Sequence, residues 1–126
     1  MGENRSFDNL LGYLYADGGL RPGTTFDGLT DDLSNTTADG DVVGVHRYSG
    51  PTDMVMSSPR PDPGEEYPHV NTQLFGTVKP AGNATLKVDK MTAPFNAPAA
   101  ATNPTMEGFL QDYINTYTAD HGGRVP

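Results

Sequence analysis

Glu3, Asn4, Arg5 and Ser6 stand directly ahead of an apolar turn, Phe7-Asp8-Asn9-Leu10-Leu11-Gly12-Tyr13-Leu14, and form the stretch of this chain best suited to chemistry. Leu10, Leu11 and Leu14 fall on one helical stripe, and Phe7 extends it by a turn. The spacing predicts a helix whose cap is Ser6, accepting a backbone N–H two or three residues on. Glu3 and Asn4 then sit just before the first turn, where free N–H groups and the helix dipole favour an anion. A carboxylate there repels phosphate unless a cation accompanies it. Side by side, the carboxylate and the amide make either a seat for a metal and a phosphate or a plain capped helix start.

Two further stretches bear on that choice. Pro61-Asp62-Pro63-Gly64-Glu65-Glu66-Tyr67 runs through His69 and Asn71 to Gln73, Leu74 and Phe75. Met106-Glu107-Gly108-Phe109-Leu110-Gln111-Asp112-Tyr113 lies near the end of the chain. Taken in order, the three blocks resemble the phosphoesterase family of bacterial phospholipases C and acid phosphatases, in the alkaline phosphatase-like superfamily. The first resembles the family's opening signature, the second its Asp-Pro-Gly segment with the helix that follows, and the third its Gly-Phe-x-x-Asp-Tyr helix.

The resemblance implies hydrolysis of phosphate mono- or diesters, phospholipid head groups among them, with a divalent metal ion and a covalent Ser/Thr intermediate. It makes Glu3 the metal ligand and Asn4 the donor to the phosphoryl group. It also implies a secreted or periplasmic location. Many members place His two residues after the Asp-Pro pair, where Glu65 stands here. His69, four residues on and one turn away on the same face, is the candidate acid–base or phosphate-donor group. Glu65 either reaches a metal or decorates the helix start. Arg5 pairs with Asp8 at i,i+3 or clamps phosphate through its planar fork. Ser6 is read as a cap and not as the nucleophile.

The fold expected from the resemblance is α/β: the N-terminal part of an alkaline phosphatase-like α/β sandwich. Residues 1–126 would be a single incomplete portion of that domain, with about three helices, a few short strands and much loop. In the family the opening signature follows a buried apolar strand, whereas only Met1 and Gly2 precede it here. The nucleophile block, the paired aspartates and later histidines are expected beyond Pro126. The chain alone is therefore expected to be inactive. A small, non-catalytic acidic module holding a cation is the alternative from another class.

Composition agrees with a modest core. Of 126 residues 35% are hydrophobic, against roughly 45–50% (counting Gly) in ordinary globular domains. Fifteen Gly and eleven Pro impose turns. The net charge is −8, and no Lys/Arg cluster offers a footprint for a nucleic-acid backbone. Cys is absent, which removes disulfides and thiol chemistry. No run approaches the roughly 18 apolar residues of a membrane span, and no signal peptide precedes the first block.

The elements that must position these residues are read as follows. Asp17-Gly18-Gly19 stops the first helix. Residues 24–41 form a polar loop, in which Asn35-x-Thr37-x-Asp39-Gly40 faintly resembles a calcium loop but meets His46 where the closing Glu belongs. Residues 42–48 and 54–56 are read as extended, and Thr85–Val88 as a possible strand. A helix is expected over 65–75, with Tyr67, Val70 and Leu74 facing inward and Gly76 ending it. Residues 77–104 otherwise read as an excursion outside the core. The last helix is expected to start from a Thr105 cap, with Met106, Phe109, Leu110, Tyr113, Ile114 and Tyr117 on its buried stripe. His46 and His121 are read as surface residues. The sequons at Asn35 and Asn83 carry little weight.

Overall fold

The computed structural model describes residues 6–57, 59–100 and 102–124. Glu3, Asn4 and Arg5 therefore lie outside the described residues. Within them the fold mixes helix with a little sheet. Helices α1 (Phe7–Leu11), α2 (Thr52–Ser57), α3 (Tyr67–Phe75) and α4 (Phe109–Asp120) are joined by long loops and two 3-10 turns, Ala81–Thr85 and Val88–Lys90. Strands β1 (Ser34–Thr36) and β2 (Val42–Gly44) make a two-stranded antiparallel sheet. The chain divides into two compact units, one of Met1–Ser34 with Gly44–Tyr48 and one of Asn35–Val43 with Ser49–Pro126.

In the first unit Ser6 caps α1 as expected, its hydroxyl accepting from Asn9 N–H at 3.1 Å. The helix stops after five residues and the chain continues in turns. The predicted apolar stripe consequently stays outside, with Phe7, Leu10 and Leu14 each about half exposed. Packing centres instead on Phe26, which meets the rings of Phe7 and Tyr15 at centroid distances of 5.8 and 5.0 Å. Gly12 is buried because its carbonyl accepts from Leu29 N–H at 2.8 Å and the Leu29 side chain fills the place of a Cβ. Arg47 and Asp17 form an exposed ion pair.

The second unit is built on α3 and α4. Glu66 precedes α3 in extended conformation, Pro68 falls in its first turn, and Gly76 ends it at φ 64°, donating to the Thr72 carbonyl at 2.8 Å. Proline is tolerated there because first-turn N–H groups have no helical partner. Residues 54–56, read as extended, belong instead to α2, with Asp53 in its first turn. Thr85–Val88 is not a strand but joins the two 3-10 turns.

The buried faces differ from those predicted. On α3 the buried residues are Pro68, His69, Asn71 and Thr72, while Tyr67 and Val70 are exposed. On α4 they are Asp112, Asn115 and Thr118, while Phe109 is exposed. Among the described residues Met91 and Pro68 are the buried apolar side chains, against eight buried polar or charged ones. Hydrogen bonds make such an interior tolerable: no buried side-chain nitrogen or oxygen among the described residues lacks a partner.

Loop 77–104 supplies much of that interior, contrary to its reading as an excursion. Asn96 donates to Pro68 O and Thr72 Oγ1 at 3.3 and 3.0 Å, and accepts from Lys79 N and Asn83 Nδ2, both at 3.1 Å. Asn83 also donates to the Lys79 and Thr92 carbonyls and accepts from Thr92 N. These two amides replace the ladder bonds that a loop lacks.

Candidate functional site

Prolines 61 and 63 bias the approach to α3 towards extended backbone, and Gly64 lies where the imidazole of His69 folds back against the chain. A Cβ on Gly64 would fall within the ring. His69 and Gln73, one turn apart on one face of α3, both reach Asp112 on α4. His69 Nδ1 is 2.9 Å from Asp112 Oδ1, and Gln73 Nε2 donates to Asp112 Oδ2 at 2.8 Å and to the Gly64 carbonyl at 2.8 Å. On the other edge of the ring, Nε2 is 3.8 Å from Glu66 Oε2. The His69 and Asp112 side chains are 8% and 3% exposed, so water barely competes for the pair.

The close approach of the two helices has its own cause. The carbonyl of Thr72 occupies the place that a Cβ on Gly108 would take. Gly108 N–H donates to Gln73 O at 3.1 Å, and Thr105 and Met106 N–H both donate to Leu74 O, at 2.9 and 3.1 Å. The 105–108 segment thus satisfies carbonyls at the C-terminal end of α3 that have no helical partner. Thr105 is engaged in this way, and α4 begins at Phe109 after Gly108 without a side-chain cap of its own residue. The cap comes from the strand pair: Asn35 Oδ1 accepts from Leu110 N–H at 3.2 Å, Asn35 Nδ2 donates to Met106 O at 3.3 Å, and Gln111 Oε1 accepts from Ala38 N–H at 2.6 Å. Thr37 Oγ1 accepts from Asp41 N–H within the same turn. Asn35 and Thr37, the first two positions of the faint calcium pattern, are therefore engaged with protein.

Asp112 facing Nδ1 is an acceptor, so Nδ1 carries a proton and the ring is held in one orientation. That hydrogen bond is the main cause drawing the His69 pKa above its ordinary value; burial opposes it, and the charges of Asp112 and Glu66 add to it. An imidazole in this setting can hold a proton and orient a partner. Beside the network, Pro59, Pro63, Gln73, Phe109, Asp112 and Tyr113 line a largely apolar cavity of about 310 Å³.

Of the residues singled out from the sequence, the structure brings His69 into a buried constellation, and Glu65 remains exposed. His46 is exposed, and exposed His121 stacks on Tyr117 at 3.9 Å at the end of α4. Asn83, with its amide hydrogens engaged, is 1% exposed. Among the described residues no group of three or more His, Cys, Asp or Glu side chains is placed to hold a metal. The ligand implied by the resemblance, Glu3, lies outside them. No helix among the described residues is long and apolar enough to cross a membrane. Sequence reading missed Asp112 as the partner of His69 and Gln73 as a donor to Asp112; three polar residues away from the apolar stripes were the available signal.

Compared with known proteins, the chain matches no family model, and no curated protein and no solved structure matches it.

Proposed function

We propose that this chain is part of a phosphoesterase of the phospholipase C and acid phosphatase type, built on an alkaline phosphatase-like α/β sandwich. Its substrate is a phosphate ester, and its Ser/Thr nucleophile is supplied outside these 126 residues. The observation that carries the reading is the meeting of the second and third blocks. Gly64, His69 and Gln73 from one, and Gly108 and Asp112 from the other, interlock at α3 and α4 through the contacts described above. Residue types that looked like signature positions thus have a shared use as one packed unit. In this reading the first block does the site chemistry. Glu3 would hold a divalent metal, which neutralises phosphoryl oxygens when bound, and Asn4 would donate to a non-bridging oxygen.

The test has two parts. The purified 126-residue chain should show no metal-dependent turnover of a phosphate monoester or a phosphocholine ester, because removing a nucleophile costs many orders of magnitude in rate. The reading frame extended by sequencing the adjacent DNA should contain a Ser/Thr block with paired Asp residues and should turn such esters over. In that longer protein Glu3→Ala should lower kcat/KM by at least about 100-fold. An extended frame lacking the block, or turnover indifferent to Glu3→Ala, overturns the reading.

A further inference from the structure

We propose that His69 and Asp112 form a proton-dependent clasp that holds α3 against α4 most strongly when the imidazole is protonated. The proposal stands apart from the phosphoesterase reading. The ring lies between two carboxylates, Asp112 of α4 at 2.9 Å from Nδ1 and Glu66, at the start of α3, at 3.8 Å from Nε2. Among the described residues these are the charged groups acting on it. Its other polar neighbour, the Thr116 hydroxyl at 3.5 Å from Nδ1, is uncharged and donates to Asp112 O. Gln73 satisfies the second Asp112 oxygen without neutralising it. Protonation therefore places a cation between the nearly buried carboxylate of Asp112 and the exposed carboxylate of Glu66.

Deprotonation leaves the Nδ1–H bond in place and removes its charge. The Asp112 carboxylate still accepts that bond, but the attraction of the cation to Asp112 and Glu66 is lost, so the clasp weakens without opening. Because the folded state binds this proton more tightly than the unfolded chain, its contribution is complete below about pH 6.5, the ordinary histidine value, and is lost as pH rises through the folded value. Each tenfold gain in proton affinity on folding makes the folded-to-unfolded ratio about tenfold larger at the low-pH end.

The experiment is an NMR titration of the histidine-labelled 126-residue chain, with urea unfolding at pH 5.5 and 8.5. The wild type should show His69 titrating above the ordinary value. Asp112→Asn should lower that midpoint and shrink the difference in stability between the two pH values. Glu66→Gln alters the exposed side of the clasp, leaves its buried bond intact, and should lower the midpoint by less. A wild-type His69 midpoint at or below the ordinary value overturns the proposal. So does a pH difference in stability that Asp112→Asn leaves unchanged. Should Asp112→Asn not fold, a midpoint unmoved or raised in Glu66→Gln overturns it.

Discussion

Two glycines show why single positions in this chain tolerate little change. A Cβ at Gly108 would overlap the Thr72 carbonyl, and backbone cannot step aside as a side chain can. Gly108→Ala is expected to cost roughly 3 kcal/mol, the upper part of the overpacking range, in urea unfolding. At Gly64 the obstacle is the His69 ring. Gly64→Ala should therefore both destabilise the chain by about 2 kcal/mol and lower the His69 titration midpoint by displacing the ring from Asp112. Gly82, with nothing near its Cβ position and no positive φ, is the control. Gly82→Ala should change stability by no more than about 0.5 kcal/mol.

At the scale of elements, α4 is capped by a residue more than 70 positions away in sequence. Asn35 binds Leu110 N–H and Met106 O together, a task that a local cap such as Thr105 would have handled in part. Asn35→Ala should cost about 1–2 kcal/mol, the usual cap loss plus an unpaired carbonyl. Asn35→Asp keeps the acceptor for Leu110 and loses the donor to Met106, so it should fall between the two. Unfolding midpoints of the three proteins check the order. The half-buried hydrophobic face of α4 and the exposed Val70 and Tyr67 of α3 follow from the same geometry: the helices meet through their polar faces, so the apolar ones turn away.

For the whole molecule, the interior is held by directed bonds more than by apolar burial. Heat capacity of unfolding reports apolar exposure, and a chain of this length ordinarily shows about 1.5–1.9 kcal/mol/K. Calorimetry should give a value below that range. Within the second unit Asn96 ties α3 to the 79–83 segment. Its side chain joins Pro68, Thr72, Lys79 and Asn83, and its φ of 61° suits Asn better than most residues. Asn96→Ala should cost at least about 3 kcal/mol, combining unpaired buried groups with backbone strain. Asn96→Gly removes the strain and keeps the loss of bonds, so it should recover about 1 kcal/mol of that cost.

The sequence alone determined what depends on near neighbours in the chain. Ser6 as a cap, Gly76 as a helix stop, and helices near 67–75 and 109–120 are signalled by residues within a few positions of them. Tertiary structure decided which face of each helix went inside. Apolar spacing pointed to Val70, Leu74, Phe109 and Tyr113, but His69, Gln73 and Asp112 find one another across 39 to 43 residues, and Asn83 and Asn96 turn an apparent excursion into core. Periodicity records how hydrophobic a face is. It cannot record whether a distant donor or acceptor will meet a polar face, and a polar face can be buried where such partners satisfy it.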